Sequence, residues 1–152
     1  MSAAGSGCFG REEIQQLIPH RPPFLWIDEV VEFSDTKLVA RKHLSADLDV
    51  FRGHYPQFPV LPGVLLCEAA FQAAAILIAR SAPPEPGQVP VVTRIQNVQF
   101  RRLVRPGETI TLEVEITERL ARAYFLKGKV LVDSQVAARL EFACTVTDEP
   151  KA

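Results

Sequence analysis

His54 and Glu68 are the two residues whose types and spacing suit proton transfer. His54 lies in the loop "FRGHYPQFPVLPG", which Pro56, Pro59 and Pro62 constrain, and Glu68 stands fourteen residues later in the apolar run "VLLCEAAFQAAAILIA". An imidazole titrates near neutral pH and can accept a proton. A carboxyl group on a buried helix costs several kcal/mol if it is ionised and unpaired, so it must find a partner or stay protonated. Protonated, it can donate. Gly63 adds a third part: at the first turn of a helix its N–H and that of Val64 lack intrahelical partners and carry positive potential. Such amides can hold a carbonyl oxygen as it becomes negative. A lone loop histidine is more often an ordinary hydrogen-bonded side chain, and His20 and His43 are read that way. A glutamate on an apolar helix needs more explanation. The three features together strengthen one another.

The elements that must position these residues follow from the hydrophobic pattern. Residues 64–80 hold no proline or glycine and abundant alanine, which predicts a helix of four to five turns starting at Gly63. Glu68 and Gln72, four residues apart, share a face with Val64, Phe71 and Ala75. A helix that is apolar nearly all round is expected to be buried. Upstream, "REEIQQLIPH" reads as a short helix, and "PFLWIDEVVEF" and "KLVARKHLS" as a hairpin turning at Ser34-Asp35-Thr36. The proline-rich segment up to Gly63 should be extended and irregular. After the loop "SAPPEPGQVP", four stretches, "VVTRIQNVQFRRLV", "TITLEVEITERL", "ARAYFLKGKVLVD" and "QVAARLEFACTVT", read as strands, with a turn at Arg105-Pro106-Gly107-Glu108. Ile110, Leu112, Val114 and Ile116 alternate with Thr and Glu, so one face of that sheet is buried. The pattern predicts an α+β domain whose antiparallel sheet wraps a long central helix. Residues 1–10 are expected to be a flexible lead, 11–148 the single domain, and 149–152 a tail.

Bulk properties narrow the function. A chain of 152 residues, 47% hydrophobic, fits one core. Seventeen Lys plus Arg against eighteen Asp plus Glu leave a net charge of -1, which gives no overall pull towards nucleic acid. Cys8, Cys67 and Cys144 have no metal-ligand or close pairing spacing and read as reduced, intracellular thiols. The start "MSAAGSGCFG" has neither the basic nor the apolar region of a secretory signal. Residues 60–79 are the one candidate membrane span, but the Pro62-Gly63 break, Glu68 and Gln72 argue for a core helix instead. A cytoplasmic protein without a membrane span is expected.

The segments "LIPHRPPFLWIDEVVEF" and "FRGHYPQFPVLPGVLLCEAAFQAA" resemble the 3-hydroxyacyl-[acyl-carrier-protein] dehydratases of type II fatty-acid synthesis, the FabZ family, related to the FabA dehydratase/isomerases. The likeness continues through "VQFRRLVRPGETITLEVEI" and spans about residues 14–147. It implies the hot-dog fold, a homodimer or trimer of dimers, and active sites at the dimer interface. It also implies that His54 is the catalytic histidine and Glu68, from the opposite subunit, the catalytic acid. Gly63, with Val64 beside it, would polarise the thioester carbonyl, and Gln72 matches a motif glutamine. Glutamate at position 68 resembles FabZ; FabA has aspartate there. The implied reaction, loss of water from a 3-hydroxyacyl thioester to give a trans-2-enoyl thioester, needs no metal or redox cofactor.

An apolar tunnel for the acyl chain is expected among Tyr55, Phe58, Pro59, Phe71, Gln72, Val91 and Phe100, any of which could equally be plain core. Arg94, Arg101, Arg102 and Arg105, with no acidic residue between them, would attract an acidic acyl carrier protein, unless they are only a solvated strand face. The strand "VPVVTRIQN" departs from the family pattern: Arg94 replaces a usual glycine and Gln96 an aspartate. These changes lie near the tunnel and leave fatty-acid synthesis and a specialised acyl pathway both open. The rival readings are a hot-dog thioesterase and a non-catalytic acyl or carrier binding subunit.

Overall fold

A computed structural model describes residues 7–148. In chain order the elements are β1 (Phe9–Gly10), α1 (Arg11–Leu17), β2 (Glu29–Phe33), β3 (Lys37–His43), α2 (Val50–Gly53), α3 (Gly63–Ser81), β4 (Gln88–Phe100), β5 (Thr109–Leu120), β6 (Ala123–Val132) and β7 (Gln135–Asp148). The seven strands form one sheet in the order β1-β2-β3-β5-β6-β7-β4, and every neighbouring pair is antiparallel. Helix α3 packs on β3, β4, β5, β6 and β7, and on α1.

Small side chains set how closely helix and sheet approach. Ala69, Ala70, Ala73 and Ala74 are fully buried along α3, with Ile76, Leu77 and Ile78 filling its last turns. Opposite them, Gly128 of β6 has no Cβ. One placed there would lie 3.2 Å from Leu140 and Phe142 and 3.4 Å from the Ala70 Cβ, tighter than ordinary packing. Strand β5 keeps the expected alternation, burying Ile110, Leu112 and Val114. By length and composition α3 could cross a membrane, but 67% of its apolar window is buried inside the domain. It is a core helix.

Four local readings change. Phe9 and Gly10, expected in the flexible lead, pair with Val30 and Glu29, because Phe9 buries its ring against Phe33 and under Arg80. Residues 1–6 and the expected tail at 149–152 lie outside the described residues. The first hairpin strand begins only at Glu29, since the backbone of residues 24–26 bonds to a side chain of α3. The short helix α2, unseen in the sequence pattern, forms where Phe51 is buried. Helix α3 ends at Ser81, one residue beyond Arg80.

Asp28 fixes the far end of the loop between α1 and β2. Its carboxylate accepts bonds from the His43 amide (2.7 Å), Lys42 Nζ (3.1 Å) and Arg11 Nη2 (2.9 Å). Burial pushes this carboxyl up, but the bonds from His43, Lys42 and Arg11 outweigh it and hold the group below the ordinary aspartate range. A carboxylate with a depressed folded pKa stabilises above its unfolded value and loses that contribution as pH falls through the folded value. The Asp28→Asn variant should therefore be less stable than wild type at pH 7, with the gap closing as pH drops below about 4. Thermal denaturation across pH measures it; a gap independent of pH would refute the ionic role.

Candidate active site

His54 is presented by a loop that satisfies its own backbone. Its N–H donates to Val50 O at the end of α2 (3.1 Å), Tyr55 and Phe58 exchange a pair of bonds (3.1 Å each), and Val60 N–H donates to His54 O (3.0 Å). Pro56, Pro59 and Pro62 have no N–H to satisfy and fix φ, so few conformations are left. The Leu61 N–H to Val104 O bond (2.8 Å) ties the loop to the chain beyond β4. His54 Nδ1 lies 2.8 Å from Val60 O. A carbonyl only accepts, so Nδ1 carries the hydrogen and the neutral ring keeps a free lone pair on Nε2. The imidazole stacks on the Tyr55 ring, centroids 4.1 Å apart.

The start of α3 is open. Pro62, its N-cap, supplies no side-chain bond, and the Gly63 and Val64 amides meet no acceptor among the described residues. Val64 is 72% exposed. Gly63 has a reason of its own: a Cβ there would lie 2.7 Å from Cε1 of Phe100, whose ring edge rests on this turn. The free amides at the positive end of a 19-residue helix can hold a developing oxyanion.

One turn on, Glu68 shares its site with Gln72. Gln72 is the buried polar side chain of the core, fully enclosed. Its Oε1 accepts from Trp26 N–H (2.7 Å), and its Nε2 donates to Phe24 O (2.8 Å) and to Glu68 Oε1 (3.1 Å). The amide thus joins the segment at 24–26 to α3 and grips one carboxylate oxygen. Glu68 itself is not interred as the sequence suggested: its side chain is 24% exposed, and it finds partners. The second partner is His20, Nε2 to Oε1 3.8 Å. Sequence reasoning passed over His20; the signal was a glutamate in need of a partner in a chain with three histidines. His43, by contrast, meets Thr109 Oγ1 at an exposed position. No hydrogen bond or ion pair joins His54 to Glu68 within the protomer, and among the described residues no group of three His, Cys, Asp or Glu is assembled as a metal site.

Of the expected tunnel residues, Tyr55, Phe58 and Phe100 are each about half exposed, and Val91 lies exposed on β4. Pro59 is partly covered in the His54 loop. Phe71 packs edge-on against Phe142 (5.0 Å), a core contact, and Gln72 is a clamp in place of a wall. The four arginines differ. Arg94, Arg101 and Arg105 are exposed, Arg101 bonding Gln99, while Arg102 forms a two-pronged ion pair with Glu108 (2.9 Å each). Glu108, just past the arginine cluster, neutralises it; among the described residues no carboxylate pairs with the other three.

A long helix wrapped by one antiparallel sheet, with a carboxyl group and open amides on its first turns and a histidine in the loop leading in, is a hot-dog fold with a candidate acid–base site at the start of its helix. The chain belongs to the FabA-like family, whose model, described as the FabA-like domain, matches residues 18–141. It is similar to the 3-hydroxyacyl-[acyl-carrier-protein] dehydratase FabZ of Anaeromyxobacter dehalogenans (strain 2CP-C), 42% identical over 141 residues that cover 91% of this chain and 90% of that one. FabZ of Staphylococcus aureus (strain JH9) is 40% identical, covering 92% and 96%. Among solved structures, the dehydratase heterocomplex ApeI:P from Xenorhabdus doucetiae superposes with a TM-score of 0.72 over 91% of each chain, at 14% identity. The E. coli PaaI protein gives 0.62 over 76% of this chain and 80% of that one, also at 14% identity. Both share the hot-dog fold.

Replacing Gln72 by leucine would strand the Trp26 N–H and Phe24 carbonyl without partners. Gln72→Leu should cost about 2–4 kcal/mol of stability in chemical denaturation. A loss below about 0.5 kcal/mol, ordinary for a surface change, would mean that the clamp is not needed.

Proposed function

We propose that the protein removes water from 3-hydroxyacyl thioesters carried on an acyl carrier protein, giving the trans-2-enoyl thioester in fatty-acid biosynthesis or a related acyl-chain pathway. The observation that carries this is the His54 tautomer, set by Val60 O so that Nε2 is the free base. The thioester carbonyl acidifies the C2–H bond, and the Gly63 and Val64 amides hold its oxygen as charge develops there. His54 Nε2 takes the C2 proton, Glu68 gives a proton to the 3-hydroxyl, the C3–O bond breaks, and water departs as the C2=C3 bond forms. Proton return from His54 to Glu68 through solvent resets the site. Oε2 of Glu68, which has no partner among the described residues, would serve the hydroxyl.

The working unit is a homodimer, with assembly into a trimer of dimers following the same pattern. Strand β4 supports it: it is a 13-residue sheet edge that exposes Val91, Ile95, Val98 and Phe100. An exposed apolar edge of that length needs a partner, and a second β4 is the matching one. His54 of one subunit then faces Glu68 of the other, and Tyr55, Phe58, Pro59, Val91 and Phe100 line the acyl tunnel between them. Arg94, Arg101 and Arg105 meet the acidic carrier. The enzyme works in the cytoplasm.

His54→Ala and Glu68→Gln should fold normally and lower turnover by roughly 10²–10⁴-fold, read by mass spectrometry of 3-hydroxyacyl carrier thioesters losing one water. Wild-type turnover in either variant refutes that residue's role. Free acid as the product would make the protein a thioesterase, and unchanged acyl thioester that stays bound would make it a binding subunit. Light scattering should find a dimer or a multiple of it; a stable, active monomer would overturn the shared site.

A further inference from the structure

We infer that His20 is a positioning residue of the site: a neutral imidazole whose Nε2–H steers Glu68 Oε1 and so presents Oε2 to the leaving hydroxyl. Its consequence for turnover rests on the dehydration proposed above; its placement beside Glu68 does not. Two groups converge on the same carboxylate oxygen, the Gln72 amide at 3.1 Å and His20 Nε2 at 3.8 Å, while Oε2 has no partner among the described residues. At 3.8 Å the imidazole is just outside hydrogen-bond range, and the inferred bond requires the two side chains to approach by a few tenths of an ångström.

The other ring nitrogen decides the state of the imidazole. His20 Nδ1 is buried with no hydrogen-bond partner. An imidazolium, or the Nδ1–H tautomer, would bury an unpaired N–H, which folded proteins avoid more strictly than an unpaired lone pair. The neutral Nε2–H tautomer leaves only that lone pair inside and points its donor at Glu68. Burial also pulls the His20 pKa below the ordinary histidine value; Glu68 opposes this and Arg21 adds to it. These are the charged groups at the ring, Glu68 from α3 and Arg21 from its own segment.

The backbone that carries the ring is fixed. Arg21 Nη1 donates to the Ile18 and His20 carbonyls (2.9 and 2.7 Å), its Nη2 donates to Gln15 O (2.8 Å), and Phe24 N–H donates to Arg21 O (2.8 Å). The guanidinium thereby caps α1 and locks the turn that carries His20. Neutrality matters chemically: a cation beside Glu68 would hold it as carboxylate, whereas a neutral donor orients it without removing its transferable proton.

The test joins a structural and a kinetic readout on the full-length enzyme. Ring ¹⁵N shifts of His20 by NMR should report a neutral imidazole protonated on Nε2 at pH 7; an imidazolium or an Nδ1–H ring would overturn the inference. Glutamine can place an amide N–H where Nε2 stands, so His20→Gln should keep kcat within about 3-fold of wild type. His20→Leu should lower kcat by roughly 10- to 100-fold with little change in KM, short of the loss expected from removing the acid itself. Wild-type kcat in His20→Leu, or equal damage in both variants, would refute the positioning role. If His20→Leu does not fold, the glutamine variant and the NMR spectrum still decide. A wild-type protein that forms no enoyl product would defeat the proposed reaction while the ring shifts still judge the tautomer.

Discussion

The buried amide of Gln72 is the interaction on which the site depends. One side chain accepts the Trp26 N–H, donates to the Phe24 carbonyl and holds Glu68, so the same group closes the backbone of a loop and aims a carboxyl group. A polar group enclosed in an apolar core is tolerable only when all its bonds are made, and here its oxygen and its amide hydrogens are used. The demand runs both ways. The segment at 24–26 lies in no strand, and Gln72 supplies what a neighbouring strand otherwise would.

The helix that carries Gln72 can come close to the sheet because alanine lines its face and Gly128 leaves a gap opposite Ala70. The close approach buries the middle of α3 and leaves Arg80 and Ser81 at its far end, along with its first turns, with an outward aspect. There Gly63 yields to the ring of Phe100, Val64 is exposed, and the amides remain free. The candidate groups sit at the amino end of a core helix, where its amides are free.

His54 and Glu68 are held by separate devices. The His54 loop is closed by its own hydrogen bonds and three prolines, and the Val60 carbonyl fixes the tautomer without help from the helix. Glu68 is held by α3 and, through His20 and Gln72, by the loop after α1. Among the described residues no hydrogen bond or ion pair joins the two. Such a division suits the proposed dimer, in which each subunit would deliver one half of the site.

Much was legible in the sequence because it depends on local rules. The proline- and glycine-free run fixed α3, the alternation in β5 fixed its buried face, and the histidine, glycine and glutamate stood out by type and spacing. What the pattern missed depends on contacts distant in the chain. His20 looked ordinary because its partner is 48 residues away; Phe9 looked like a flexible lead because its pairing strand lies beyond α1; Arg102 looked free because Glu108 bonds it only once the turn has formed. Glu68 was read as buried because helical periodicity gives the composition of a face and not what covers it. The sequence by itself determined the elements and the chemical types at the site, since propensity and periodicity act over a few residues. Only the tertiary structure decided which groups hold Glu68 and which arginines are free, because pairing and desolvation depend on three-dimensional neighbours that no local spacing encodes.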